Sequence, residues 1–166
     1  PFFLYYPTTV PHLALQVPED SLAEFLGKFP EEPYLAGDYL SHRAPRAAYA
    51  AMVTRMDEQI GRILDTLRRL GMRNDTVVVF TSDNGGERFS DNYPFTGRKT
   101  ELLEGGLRVP AIVRWPGLGR PGTTSEEIVA ASSIIEESGF TSYDSVFHGE
   151  AGKSPELGTK SAAHPL

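Results

Sequence analysis

Thr76-Val77-Val78-Val79-Phe80-Thr81-Ser82-Asp83-Asn84-Gly85-Gly86 is the stretch on which the fold turns. Its first six residues are β-branched or aromatic with no polar alternation. That pattern predicts a central strand covered on both faces, as in a parallel sheet. The five residues after it are polar and glycine-rich, a loop at the strand's carboxyl end. Upstream, Ala48, Met52, Met56, Ile60, Ile63, Leu64 and Leu67 recur at steps of three and four, the single apolar stripe of a helix over residues 45–70. Pro45 suits its first turn, Arg68 and Arg69 complement the dipole in its last, and Gly71 suits its C-terminal cap. A helix leading into a buried strand makes the class α/β.

Working outward, Glu104-Gly105-Gly106 reads as a turn, and residues 109–113 read as a second strand ended by Trp115-Pro116-Gly117. Residues 125–138 have a helical pattern, and residues 141–166 are rich in Gly, Ser and Pro with little to build a core. Toward the other end, Phe2-Phe3-Leu4-Tyr5-Tyr6 is a continuous apolar run closed by Pro7 and is expected to be a buried strand. Prolines at 7, 11, 18, 30, 33 and 45 make the intervening segment mostly loop, with one helical turn expected over residues 21–26. A loop of that length tends to serve a site. A chain that opens on Pro1 and at once on a strand pattern is expected to begin mid-fold.

Composition bounds the function. The 166 residues include 16 basic and 22 acidic side chains, a formal charge of −6, which argues against a general nucleic-acid binder. No apolar run approaches the roughly 20 residues of a membrane span, and no signal-peptide pattern is present. There is no cysteine, so disulfides, thiolate metal sites and cysteine nucleophiles are excluded within these residues.

Asp83 and Asn84 place a carboxylate and a carboxamide where open α/β sheets bind ligands. Such hard oxygen donors suit Ca²⁺ or Mg²⁺ rather than zinc; Asp-Asn-Gly-Gly is equally good chemistry for an Asx turn. Lys99, in Gly97-Arg98-Lys99, could neutralise an anionic ester as a point charge, or belong to a solvated basic turn. His12 follows Pro11 and could serve an oxyanion or a proton transfer, or be a capping residue. His42, His148 and His164 lack zinc-ligand spacing, and no Gly-x-Ser-x-Gly elbow or P-loop occurs. Asn74-Asp75-Thr76 matches a glycosylation sequon, which also arises by chance.

Three stretches, PFFLYYPTTVPHLALQVP, YAAMVTRMDEQIGRILDTLRRLGMRNDTVVVFTSDNGG and GRKTELLEGGLRVPAIVRWPG, resemble the sulfatase family of the alkaline-phosphatase-like superfamily in order and spacing. The resemblance covers about residues 1–125, leaving 126–166 as a divergent segment. It implies an alkaline-phosphatase-like mixed or parallel sheet flanked by helices, incomplete on its N-terminal side. It implies a sulfuric ester hydrolase in which Asp83 and Asn84 are metal ligands for Ca²⁺ (or Mg²⁺) and Lys99 and His12 contact the sulfate. It treats Glu104-Gly105-Gly106, Arg108 and Asp57 as structural.

The expected partner is a sulfate-ester small molecule or sulfated glycan, and the expected setting is exported. The family's formylglycine nucleophile arises in a Cys/Ser-x-Pro-x-Arg motif that this sequence lacks, as it lacks the family's N-terminal aspartate pair and its later Asp-x-x-Pro-Thr. The chain alone is therefore expected to be inactive. The alternatives are a phosphodiesterase or phosphatase of the same superfamily, which the Glu-Gly-Gly segment after Lys99 disfavours, and a metal-binding pseudo-enzyme.

Overall fold

The computed structural model describes residues 1–35 and 37–126. The expected helix over 125–138 and the divergent segment 126–166 lie outside the described residues beyond Glu126. The chain divides into Pro1–Gly117 and Leu118–Leu166. Of the second unit, a turn is described in which Thr123 Oγ1 donates to the Arg120 carbonyl at 2.9 Å. Among the described residues the first unit holds five elements: α1 (Glu19–Ala23), α2 (Pro45–Arg69), β1 (Val78–Thr81), α3 (Glu104–Leu107) and β2 (Ala111–Arg114).

The long helix forms where its periodicity predicts. Pro45 opens it, and its end is a Schellman motif: Gly71 N–H donates to the Arg68 carbonyl at 3.1 Å and Met72 N–H to the Leu67 carbonyl at 2.9 Å. Gly71 sits at φ +72°, where a Cβ is disfavoured. The other end has no side-chain cap of its own, because Ala44 occupies the N-cap position. Glu31 supplies it from 15 residues away, its carboxylate accepting from Arg46 N–H at 3.1 Å and Ala47 N–H at 2.6 Å. A carboxylate on the first-turn amides satisfies otherwise orphaned donors and complements the dipole. Glu31→Ala is expected to lower stability by about 1–2 kcal/mol, measured by denaturant unfolding.

The core lies at the amino-terminal half of α2. Ala47, Ala48 and Met52 are buried with Ala44, Leu15 and Leu22, and the small alanines let α1 approach closely. Arg55 ties the two helices at the surface, with Nε donating to Ser21 Oγ at 2.8 Å. The Ser21 amide on Asp20 holds that carboxyl below the usual carboxylate range. Farther along the predicted stripe, Met56, Ile60, Ile63 and Leu67 are only half-buried and Leu64 is exposed. The expected helical turn over 21–26 lies slightly earlier, at Glu19–Ala23.

Two strand expectations need correction. Phe2–Tyr6 forms no strand, and these residues are 41–62% exposed. The Val-rich strand does form, but it pairs antiparallel with β2, in the register Val79↔Val113 and Phe80↔Ile112. Alternation sends the first pair to one face and the second to the other. Both faces are apolar, as the sequence indicates, yet these four side chains are 41–66% exposed. Hydrophobicity identifies a strand suited to burial without saying which chain segment covers it. Helices and a sheet in one unit make the class α/β, as expected.

Candidate functional site

β1 ends at Thr81 and hands over to the loop 82–86, where Ser82 Oγ donates to the Asn84 carbonyl at 2.8 Å. This loop is joined by backbone to the segment 96–106. Gly85 N–H donates to the Gly106 carbonyl at 2.9 Å and Lys99 N–H to the Gly86 carbonyl at 3.1 Å, while within the segment Gly105 N–H donates to the Thr96 carbonyl at 2.8 Å. Contacts this close need glycine: a Cβ at Gly85 would lie 1.8 Å from the Gly105 carbonyl oxygen, and one at Gly105 would lie 2.2 Å from that of Gly97. The Glu-Gly-Gly segment, expected as a turn, is the short helix α3 with both glycines buried.

Asn92 completes the joint. Its Oδ1 accepts from Gly86 N–H at 2.9 Å, while Nδ2 donates to the carbonyls of Gly86 at 2.9 Å and Gly97 at 3.0 Å. One half-buried carboxamide thus holds the Asp83–Asn84 loop against the segment carrying Lys99. The sequence gives no sign of this role, since an asparagine before Tyr-Pro reads as an ordinary loop residue.

His12 reaches Lys99 from the opposite end of the unit. The turn that carries it is closed by His12 N–H donating to the Thr9 carbonyl at 2.7 Å. Its Nδ1–H donates to the Leu13 carbonyl, which leaves Nε2 with a lone pair. Lys99 Nζ donates to that nitrogen at 3.1 Å, so two partners fix one neutral tautomer. Tyr39 packs edge-on against the imidazole, with ring centroids 5.9 Å apart. His12 is exposed and Lys99 is half-buried, so an anion could reach both.

Two residues 87 apart in sequence are therefore brought into contact, and the Asp83–Asn84 loop is attached to one of them through the backbone. Among the described residues, neither the Asp83 nor the Asn84 side chain hydrogen-bonds to His12 or Lys99. Their oxygens suit a hard cation in kind. In number they fall short, because Ca²⁺ takes six to eight oxygen ligands and among the described residues no three His, Cys, Asp or Glu side chains form a group able to hold a metal. A cavity of about 280 Å³ opens beside Lys99. Among the described residues no helix is long and apolar enough to cross a membrane.

Comparison with known proteins gives this arrangement its class. A family model described as Sulfatase matches residues 1–138. The chain is 41% identical over 105 residues to the steryl-sulfatase of Rattus norvegicus, a match covering 57% of this chain and 17% of that protein. It is 34% identical over 144 residues to the N-acetylgalactosamine-6-sulfatase of Mus musculus, covering 83% and 24%. A sulfatase of Formosa agariphila is 34% identical over 139 residues, covering 77% and 24%. Among solved structures, Ps i-CgsB in complex with k-i-k-neocarrahexaose matches with a TM-score of 0.52 at 30% identity, over 65% of this chain and 22% of that one. The chain belongs to the sulfatase family, with an alkaline-phosphatase-like α/β fold, and spans about a quarter or less of the length of these relatives.

Proposed function

We propose that the His12–Lys99 pair is the sulfate-binding end of a sulfuric ester hydrolase site, and that this chain contributes binding rather than the nucleophile. The observation that carries it is the 3.1 Å contact between Lys99 Nζ and His12 Nε2, two polar groups with no carboxylate hydrogen-bonded to either among the described residues. An ammonium so placed is a ready donor to a tetrahedral oxyanion. The sequence has no cysteine and no Cys/Ser-x-Pro-x-Arg motif, so within these residues nothing supplies the formylglycine that attacks sulfur in the family.

An arriving sulfate oxygen competes with Nε2 for the Lys99 ammonium. Sulfate binding should therefore replace the contact between Lys99 Nζ and His12 Nε2. Titrating the chain with sodium sulfate, against sodium chloride at matched ionic strength, tests this by NMR of the imidazole nitrogens. The Nε2 resonance is expected to shift with sulfate alone, as its contact with Lys99 Nζ is lost. An unmoved Nε2, or the same response to chloride, overturns the reading.

Asp83 and Asn84 are proposed as two oxygen donors to a divalent cation, Ca²⁺ or Mg²⁺, completed by ligands outside the described residues. When bound, such an ion adds positive charge opposite developing oxygen charge. Two donors alone hold it weakly, in the millimolar range of loosely built sites. Calcium is expected to perturb the amides of residues 82–86 in the chain and to leave them unmoved in Asp83→Ala. Identical shifts in both proteins would remove Asp83 from the site.

A further inference from the structure

The cavity beside Lys99 is lined by Asp38, Tyr39, Glu87, Arg98 and Thr100, together with Arg88 and Lys99 itself. Among the described residues no aliphatic side chain contributes to it. Its volume of about 280 Å³ lies near the lower bound of roughly 300 Å³ for small-molecule sites.

One wall is a loop closed at its base by paired backbone hydrogen bonds between Tyr34 and His42, at 2.9 and 2.8 Å. Tyr34 anchors that base, its ring edge-on to Phe89 at 5.9 Å and its hydroxyl accepting from Arg88 Nη1 at 3.2 Å. Glu87 holds the other side of the same guanidinium, at 2.9 Å from Nε and 2.8 Å from Nη2, and its hydrogen bond raises the Arg88 pKa. Arg88 is thus committed to positioning. At the tip of the loop Tyr39 meets His12, and Asp38 accepts no hydrogen bond among the described residues.

We propose that Asp38 and Tyr39 form the leaving-group subsite, and that the alcohol it accepts is a hydroxyl-bearing pyranose sugar rather than an apolar ring system. This rests on His12 and Lys99 being the sulfate-binding end. A pyranose presents a C–H face that packs on an aromatic ring and hydroxyls that donate to carboxylates. An apolar ring in the same cavity would strip water from Asp38 and Glu87 without replacing their hydrogen bonds, which is unfavourable.

Calorimetric titration of the chain with glucose 6-sulfate, inorganic sulfate and a steroid sulfate tests this. The sugar sulfate is expected to bind about fivefold or more tighter than inorganic sulfate, the scale of one net hydrogen bond. That ratio should fall to near unity in both Asp38→Ala and Tyr39→Leu. A steroid sulfate that binds tighter than the sugar sulfate, or a ratio that survives in either variant, overturns the subsite while leaving sulfate binding in place. If inorganic sulfate binds wild type and Lys99→Ala equally, the sulfate-binding reading fails and the subsite falls with it.

Discussion

Gly105→Ala is expected to dismantle the joint between the two site loops, not merely to loosen it. An added Cβ would stand 2.2 Å from the Gly97 carbonyl oxygen and 2.8 Å from that of Thr96. Both are backbone atoms, so no rotamer change relieves the overlap. Moving Gly105 away breaks its 2.8 Å hydrogen bond to Thr96 and disturbs the carbonyl already packed against Gly85. Overpacking costs about 1–3 kcal/mol and a lost hydrogen bond about 1 kcal/mol, so a loss of roughly 2–4 kcal/mol is expected in denaturant unfolding.

The sign makes the result diagnostic. Alanine is the better helix former by about 1 kcal/mol, and Gly61 in α2 has nothing within 4 Å of its would-be Cβ. Gly61→Ala should therefore stabilise the chain by about 0.5–1 kcal/mol while Gly105→Ala destabilises it. If both substitutions stabilise, close backbone approach is not what Gly105 provides.

The elements that the sequence discloses are those whose cause is local. The α2 stripe, Pro45, the closing arginines and Gly71 all act within a few residues of one another, and the helix runs Pro45–Arg69 as they predict. The apolar run of β1 is likewise its own signal. Its neighbour is not, because pairing direction depends on where the chain returns, and β2 returns antiparallel. Phe2–Tyr6 shows the limit of composition: aromatic residues suit a strand, yet no strand forms there.

The candidate site divides in the same way. His12, Asp83, Asn84 and Lys99 carry chemistry that the sequence displays, and the family resemblance selects them. The contact between His12 and Lys99 depends on the path of 87 residues and no local pattern encodes it. Glu31 and the Tyr34–Arg88 anchor act across the fold through hydrogen bonds between distant segments, and Asn92 bridges two loops whose carbonyls lie five and six residues from it. The glycine pairs 85–86 and 105–106, which read as turn residues in the sequence, are where close backbone approach occurs in the fold.

Lys99→Ala is expected to have the largest effect on binding. The half-buried ammonium is the donor nearest His12 Nε2, and hydrogen bonds to charged groups contribute about 1.5–3 kcal/mol. Its loss should weaken sulfate binding by about tenfold to a hundredfold, at roughly 1.4 kcal/mol per tenfold. Lys99→Arg keeps the charge but replaces a compact ammonium with a broad planar fork, and should restore binding only in part.

Sulfate affinity of wild type and Lys99→Ala, measured by calorimetry at constant ionic strength, tests the central claim most directly. The two proteins should differ by at least about tenfold, with Lys99→Arg between them. Equal affinities would contradict the assignment of His12 and Lys99 as the sulfate-binding end of the site.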